Sequence, residues 1–171
     1  MHTLVLGGIR SGKTALAERL ASGTNNSVVY LATATAGDDE MRTRIQRHQQ
    51  QRPDGWGLEE ETLALAQVLA RQGKTTHAPC ILIDCMSLWV SNLLHAGEEI
   101  FDREREAFLN QVSLYPGELV IVSNEVGLGT IGMDPLTRRF ADELGWLNQA
   151  LAAVSDKVVM SVAGLPMVLK P

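Results

Sequence analysis

An eight-residue glycine loop near the N-terminus constrains the fold of this chain more than any other feature. Residues 7–14 read Gly-Gly-Ile-Arg-Ser-Gly-Lys-Thr and satisfy the pattern G-x-x-x-x-G-K-[ST]. The apolar run from His2 to Leu6 precedes the loop, and a helically spaced segment from Thr14 to Ala21 follows it. Because such a loop works between a strand and a helix, the sequence predicts a strand–loop–helix unit that holds phosphate groups.

Each part of this phosphate loop has a predicted chemical role. The glycines let the backbone curl so that successive N–H groups face phosphate oxygens, and the following helix adds its positive end. We expect Lys13 to contact the β- and γ-phosphates of ATP or GTP and the Thr14 hydroxyl to hold Mg²⁺. The nucleotide-binding residues predicted in this loop are Gly7, Gly8, Ile9, Arg10, Ser11, Gly12, Lys13 and Thr14.

Short apolar runs alternate with longer segments of helical spacing along the rest of the chain. The predicted strands after the first are Ser27 to Ala32, Cys80 to Asp84, Glu118 to Ser123 and Lys157 to Val162. The longer predicted helices are Asp38 to Gln51, Glu61 to Gln72, Phe101 to Leu114 and Pro135 to Val154. This alternation predicts an α/β fold of the P-loop NTPase type, a mostly parallel sheet with helices on both faces. At 171 residues, we expect residues 1–171 to form a single catalytic domain.

Charge and composition exclude several classes of protein. A formal net charge of -5 and a pI near 5.3 leave no basic surface for nucleic acid, so we expect no such partner. No apolar run approaches the roughly 18 residues of a membrane span, and the N-terminus does not resemble a signal peptide, so the cytoplasm is expected. Cys80 and Cys85 are too far apart for a C-x-x-C motif and are interpreted as buried, reduced thiols.

Asp84 closes the apolar run Ile81-Leu82-Ile83, where an acid of the Walker-B type would orient Mg²⁺ or its water. Ligands of such sheets bind beyond the carboxyl ends of the strands, which is where Asp84 lies. The alternative is a helix N-cap, because Ser87 and Leu88 begin what looks like a new helix. Because the phosphate loop is already assigned, we favour the metal-associated role for Asp84.

His48 lies in the second predicted helix, where Met41, Ile45 and His48 share one face at spacings of four and three. A histidine on an apolar face is often a hydrogen-bonded core residue. An imidazole is also largely neutral at pH 7, so its nitrogen can attack phosphorus and form a covalent intermediate. Arg44 and Arg52 flank His48 at four residues on either side and would neutralise a phosphate there. Spacing alone leaves both readings open.

An ordered set of motifs makes the chain resemble the bifunctional adenosylcobinamide kinase / adenosylcobinamide-phosphate guanylyltransferase family of cobalamin biosynthesis. The similarity extends over nearly the whole chain and is far more specific than a phosphate loop alone. It rests on residues 7–14, Tyr30-Leu31-Ala32-Thr33, Asp39-Glu40-Met41, Arg44-Ile45 with His48, Arg52-Pro53 with Trp56, Asp84-Cys85, Leu88-Trp89, Asn124-Glu125-Val126-Gly127, Asn148-Gln149 and Gly164-Leu165-Pro166.

The resemblance implies two reactions. Family members phosphorylate the aminopropanol hydroxyl of adenosylcobinamide with ATP or GTP and then transfer GMP from GTP to that phosphate, which gives adenosylcobinamide-GDP. The guanylyl group passes through a histidine that corresponds to His48, and the resemblance also implies a homotrimer. Nucleotide contacts carried over beyond the phosphate loop fall on Ala32, Thr33, Ala34, Gln49, Gln50, Gln51, Arg52, Glu60 and Asp84.

Two positions depart from the family pattern. Ile131-Gly132 stands where Val-Pro is usual, and Ala141 stands where an arginine is usual. Two other hypotheses remain beside the bifunctional one. A kinase with a single activity would use His48 only structurally, and a P-loop switch or binding module would turn over nucleotide without any dependence on a corrinoid.

Overall fold

The computed structural model describes residues 1–34, 55–129 and 132–171 of the chain. Within these residues, seven strands form one sheet. The strands are β1 (His2–Gly7), β2 (Val28–Ala32), β3 (Gly57–Glu60), β4 (Cys80–Asp84), β5 (Leu119–Asn124), β6 (Lys157–Val162) and β7 (Leu165–Lys170). Their order across the sheet is β3–β2–β4–β5–β1–β6–β7.

Helices separate most of these strands along the chain. The described helices are α1 (Lys13–Ser22), α2 (Leu65–Gln72), α3 (Met86–Ala96), α4 (Glu98–Leu114) and α5 (Pro135–Val154). None of the described helices is both long enough and apolar enough to span a membrane. The predicted helix Asp38 to Gln51 lies outside the described residues.

The sheet is parallel except at one edge, as the alternation of strands and helices predicts. The five strands from β3 to β1 and strand β6 pair in parallel, and only β7 runs antiparallel to β6. Strands β1, β4 and β5 lie in the interior of the sheet and are covered on both faces, so nearly all of their residues are buried and most are apolar. The mostly parallel sheet is confirmed.

Two apolar cores lie on opposite faces of this sheet. The larger core joins β-strand residues such as Leu4 to helices α2, α3, α4 and α5, and the fully buried rings of Trp89 and Phe108 lie 4.8 Å apart in it. The smaller core joins Val5 and its neighbours to Leu16 and Ala17 of α1. Because successive strand residues point to opposite faces, Leu4 and Val5 belong to different cores. Helices on both faces are therefore confirmed.

Both strands that the sequence reading missed, β3 and β7, lie at the edges of the sheet. Strand β3 reads Gly-Leu-Glu-Glu and is largely exposed, so it has no apolar run that would reveal it. Strand β7 contains Pro166, which an edge strand tolerates because its N–H side can face solvent. Edge strands bury little, and the apolar pattern on which sequence reading depends is weak in them.

Helix α2 also begins later than predicted. The sequence places its start at Glu61, whereas the helix begins at Leu65. The Glu61 carboxylate accepts hydrogen bonds from the backbone N–H groups of Leu63 (2.8 Å) and Ala64 (3.0 Å). Burial alone would raise the pKa of Glu61, but these bonds outweigh it and lower that pKa. Glu61 thus stabilises a turn that precedes the helix.

Both cysteines, Cys80 and Cys85, are free and buried, which confirms the sequence interpretation. Burial, together with the charge of Glu118, raises the pKa of Cys80 to about 11. Because only the thiolate is reactive and an unperturbed thiol titrates near pH 8.5, Cys80 stays protonated throughout the neutral range.

We therefore expect the native protein to resist iodoacetamide at pH 8. Mass spectrometry after an hour of labelling should show no carbamidomethyl groups on the folded chain and two on the chain unfolded in guanidinium. Rapid labelling of Cys80 in the native protein would contradict its buried, protonated state.

Candidate active site

The phosphate loop joins the carboxyl end of β1 to the start of α1. Gly12 immediately precedes the helix with a φ of 90°, a left-handed conformation that favours glycine. The Lys13 ammonium group donates a hydrogen bond to the Gly8 carbonyl oxygen at 3.0 Å, so the lysine side chain lies across the loop. Ile9 at the tip of the loop is 85% exposed. The loop that the motif predicts therefore exists where a phosphate-binding loop must be.

The turn between β6 and β7 supports this loop from the other end of the chain. The Ser11 carbonyl oxygen accepts hydrogen bonds from the Gly164 backbone N–H (2.8 Å) and from the Ser161 hydroxyl (2.8 Å). Ala163 and Gly164 both have positive φ, 51° and 79°, as a tight two-residue hairpin turn requires. A Cβ atom at Gly12 would lie 3.0 Å from the Gly164 Cα atom, so the loop and the turn pack closely.

Asp84 contacts the end of the phosphate loop. Its Oδ2 atom accepts hydrogen bonds from the Thr14 hydroxyl (3.2 Å) and from the Tyr30 hydroxyl (3.1 Å). Helix α3 begins at Met86, and its N-cap is Cys85, which makes no side-chain capping bond. The N-cap alternative for Asp84 is therefore wrong, and its carboxylate faces the phosphate loop instead. The sequence analysis assigned no role to Tyr30, although the motif Tyr30-Leu31-Ala32-Thr33 carries part of the family resemblance.

Three predicted nucleotide residues lie side by side on adjacent strands. Ala32 of β2 is in register with Glu60 of β3 and with Asp84 of β4. Glu60 is exposed and is the last residue of its strand. The next residue, Thr33, is fully buried, and its hydroxyl donates to the Cys85 carbonyl oxygen at 2.8 Å. This bond links the ends of β2 and β4. Ala34, the next residue along the chain, is half-buried.

The remaining predicted site residues lie outside the part of the chain that the structure describes. These are the predicted nucleophile and four predicted nucleotide contacts: His48, Gln49, Gln50, Gln51 and Arg52. The described residues therefore carry the phosphate-binding half of the candidate site.

A polar group at the end of β5 was not assigned a role from the sequence. The Asn124 side-chain nitrogen donates to the Ser87 hydroxyl at 2.8 Å, and the Asn124 backbone carbonyl accepts from the Asn148 side chain at 3.1 Å. Asn148 in turn accepts a 2.6 Å hydrogen bond from the Ser123 hydroxyl. The motifs around Asn124 and Asn148 carry the family resemblance, but their mutual contacts arise only when α5 packs on β5. No spacing in the sequence reveals them.

The structure gives one of the two departures from the family pattern a physical basis. A Cβ atom at Gly132 would lie 2.6 Å from the Thr137 Cγ2 atom, so any side chain at this position must displace Thr137. Thr137 belongs to the cap of α5, because its backbone N–H donates to the Asp134 carboxylate at 2.9 Å. Glycine at 132 thus permits the close approach of this loop to the helix cap. Ala141 is half-buried in α5, and nothing in the structure explains its departure from arginine.

Fold and site together define a class of protein. A parallel sheet whose first strand ends in a glycine loop, with the loop threonine hydrogen-bonded to a strand-end aspartate, is the arrangement of P-loop nucleotide-binding enzymes.

Comparison with known proteins identifies the family within this class. The family model for cobinamide kinase / cobinamide phosphate guanyltransferase matches residues 3–169. The chain is 48% identical to the bifunctional adenosylcobalamin biosynthesis protein CobP of Pseudomonas aeruginosa, over 99% of this chain and 98% of that protein. It is 33% identical to the bifunctional adenosylcobalamin biosynthesis protein CobU of Escherichia coli, over 99% of this chain and 100% of that one. The chain belongs to this family and is an enzyme of its bifunctional class.

Among solved structures, a RadB recombinase is similar to this chain at a TM-score of 0.46 and 15% identity. The similarity covers 93% of this chain and 73% of the recombinase.

Proposed function

We propose that this chain phosphorylates the aminopropanol hydroxyl of adenosylcobinamide with ATP or GTP and then transfers GMP from GTP to that phosphate. The product is adenosylcobinamide-GDP, an intermediate of cobalamin biosynthesis. The family membership supports both reactions. The observation that carries the proposal is the contact between Thr14 and Asp84, which places the loop hydroxyl and the strand-end carboxylate of a phosphotransferase together. We further infer that residues 1–171 act as a single catalytic domain.

In the kinase step, charge on the transferred phosphoryl group must be stabilised while the substrate alcohol attacks it. The backbone N–H groups of residues 8–14 and the positive end of α1 supply fixed donors around the phosphates. The Lys13 ammonium group already lies over the loop, where it can exchange the Gly8 carbonyl for phosphate oxygens. The P–O bond to the nucleotide breaks as the new P–O bond to the alcohol forms, the nucleoside diphosphate leaves, and the hydroxyl proton is released to solvent.

The residues at the loop fit a magnesium ion. The Thr14 hydroxyl and the Asp84 carboxylate are hard oxygen groups that lie 3.2 Å apart, and together they would hold Mg²⁺ or its bound water. Within the described residues there is no group of three or more His, Cys, Asp or Glu side chains that could hold a metal by itself. Magnesium suits this arrangement because it keeps several waters and takes its other ligands from substrate phosphates. When bound, it supplies neutralisation of the phosphate charge.

For the guanylyl step, the proposed nucleophile is His48. Its neutral imidazole nitrogen attacks the α-phosphorus of GTP, a P–N bond forms, and pyrophosphate leaves. An oxygen of the cobinamide phosphate then attacks the same phosphorus, the P–N bond breaks, and the free imidazole returns. The proposed contacts to the nucleotide beyond the phosphate loop are Ala32, Thr33, Ala34, Gln49, Gln50, Gln51, Arg52, Glu60 and Asp84.

We also propose a homotrimer that works in the cytoplasm, where ATP and GTP are supplied. The exposed edge strand β7 supports self-association. The exposed fraction of its apolar side chains Leu165, Met167, Val168 and Leu169 ranges from 48% to 71%. Exposed apolar edge strands pair readily with another chain. Light scattering on the eluting protein should give three times the 18.6 kDa of one chain. A mass of one chain would contradict the trimer.

A product assay tests the proposed function directly. Purified protein is incubated with adenosylcobinamide and ATP, and the corrinoid products are separated before and after GTP is added. We expect adenosylcobinamide phosphate first and adenosylcobinamide-GDP after GTP. Nucleotide turnover with no corrinoid product would contradict the proposal and favour a P-loop switch. Phosphate formation without the GDP product would favour a kinase with a single activity.

A further inference from the structure

A cavity of about 380 Å³ opens beside the candidate nucleotide site. Its walls come from α3 and α5, and Asn124 at the end of β5 contributes to its lining. Across the sheet, β5 lies next to β4 with Asp84, while Glu60 and Ala32 lie on the opposite side of β4. The cavity and the predicted nucleotide contacts of β2 and β3 therefore flank Asp84 from two sides.

The lining of this cavity suits an uncharged ligand. None of the described residues that line it is Asp, Glu, Lys or Arg. Hydroxyl groups of Ser87, Ser91 and Thr137 alternate with apolar groups such as Leu88 and Phe140. A triphosphate would meet no Lys or Arg side chain among these residues and only one imidazole, that of His95, whereas a neutral molecule with hydrogen-bonding groups and methyl or methylene surface matches both kinds of wall.

One buried polar atom in this lining has no partner. The Asn124 side-chain nitrogen donates to Ser87, but its Oδ1 atom is buried and accepts no hydrogen bond from the described part of the chain. Buried side-chain oxygens in native proteins are nearly always paired. Because Asn124 lines the cavity, its unpaired carbonyl oxygen points to a ligand that brings a donor.

The cavity also has the right position for the chemistry. Asn124 is in register with Gly7, the first residue of the phosphate loop, and the Glu125 backbone N–H donates to the Gly7 carbonyl oxygen at 3.1 Å. Adjacent strands lie about 4.8 Å apart, so a small ligand bound at Asn124 reaches the edge of the phosphate loop.

We propose that this cavity binds the aminopropanol arm of the acceptor, which carries the reacting hydroxyl. The Asn124 Oδ1 atom accepts a hydrogen bond from the N–H of the arm, and the alcohol end points to the phosphate loop. A volume of about 380 Å³ accommodates such an arm but not a corrin ring, which stays outside, next to the exposed Leu136 side chain at the start of α5. This inference rests on the proposed function, because it takes its acceptor from it.

Two variants test the cavity in different ways. Asn124→Leu keeps the branching of the side chain but replaces the unpaired oxygen, and the nitrogen that donates to Ser87, with methyl groups. Leu136→Trp adds bulk to an exposed lining residue without touching the core. For each, we expect the KM for adenosylcobinamide in the kinase reaction to rise about tenfold, the effect of one lost hydrogen bond or a blocked contact. The KM for ATP should stay within about twofold, because the phosphate loop is unchanged. Leu114→Trp, at an exposed leucine at the end of α4, is the matched control and should change neither constant.

Unchanged corrinoid KM values in both variants, or equal increases in the KM for ATP, would overturn the proposal. If Asn124→Leu fails to fold, Leu136→Trp decides the question alone. If the proposed function itself is wrong, even the wild-type protein will form no phosphorylated corrinoid. This observation distinguishes a failure of the proposed function from a failure of the cavity proposal. Equilibrium dialysis of adenosylcobinamide against wild type and Leu136→Trp then still tests the cavity, with weaker binding by the variant expected and equal binding contradicting it.

Discussion

His48→Ala should stop the formation of adenosylcobinamide-GDP while adenosylcobinamide phosphate accumulates. If His48 is the nucleophile, its removal leaves the α-phosphorus of GTP without an attacking group, and losses of a covalent nucleophile are roughly 10³-fold or more. The kinase step does not pass through this residue and should keep most of its rate. The measurement is chromatography of both corrinoid products from one reaction with ATP and GTP.

A labelling experiment on the same variant reports on the covalent intermediate itself. Wild-type protein incubated with GTP labelled at the α-phosphate should retain label that is labile in acid and stable in alkali, as a phosphorus–nitrogen bond is. His77→Ala is the control, since His77 is exposed in the loop before β4 and has no proposed role. Label that persists in His48→Ala would reject His48 as the nucleophile and return it to the alternative of a core histidine.

Lys13→Ala should lower both activities together. The loop lysine is proposed to neutralise phosphate charge in either reaction, and the loss of one such fixed donor costs about 10²- to 10³-fold in rate. The Lys13 ammonium group lies within the loop, 3.0 Å from the Gly8 carbonyl oxygen, where the phosphates are proposed to bind. Steady-state rates of corrinoid phosphorylation and of GMP transfer provide the measurement.

Lys74→Ala is the matched control for this lysine. Lys74 is exposed after the end of α2, and its removal changes the net charge by the same amount. We expect both rates to stay within about twofold of wild type, as for most surface substitutions. Kinase activity that survives in Lys13→Ala would contradict the assigned role of the loop. Together, His48→Ala and Lys13→Ala separate a residue that serves only GMP transfer from a residue that serves both reactions.

Much of the fold was predictable because its central strands are buried on both faces. Runs such as Ile81-Leu82-Ile83 have no polar alternation, and only an interior parallel strand explains them between helices. The edge strand β3 was not predicted for the opposite reason. It buries almost nothing, so no apolar run marks it in the sequence. Helix α5 was predicted with its observed bounds because Asp134 caps it and Pro135 occupies its first turn.

The candidate site was predictable where its residues follow one another along the chain. Residues 7–14 form a continuous motif, and Asp84 ends a strand whose position in a parallel sheet brings it to the same edge. The Tyr30 bond to Asp84 and the unpaired Asn124 oxygen depend on how separate elements pack, which no local pattern encodes. The role of His48 remains a prediction, because neither helical spacing nor the described part of the structure bears on it.

The hydrogen bonds from Ser161 and Gly164 to Ser11 join residues 150 or more positions apart in the sequence. Synthesis proceeds from the N-terminus, so the phosphate-binding motif leaves the ribosome 150 residues before the first of its two donors. A nascent chain that stops before Ser161 already has the whole motif but lacks the groups that hold the Ser11 carbonyl. A nascent chain therefore gains these two hydrogen bonds to the phosphate loop only after Gly164 has been added.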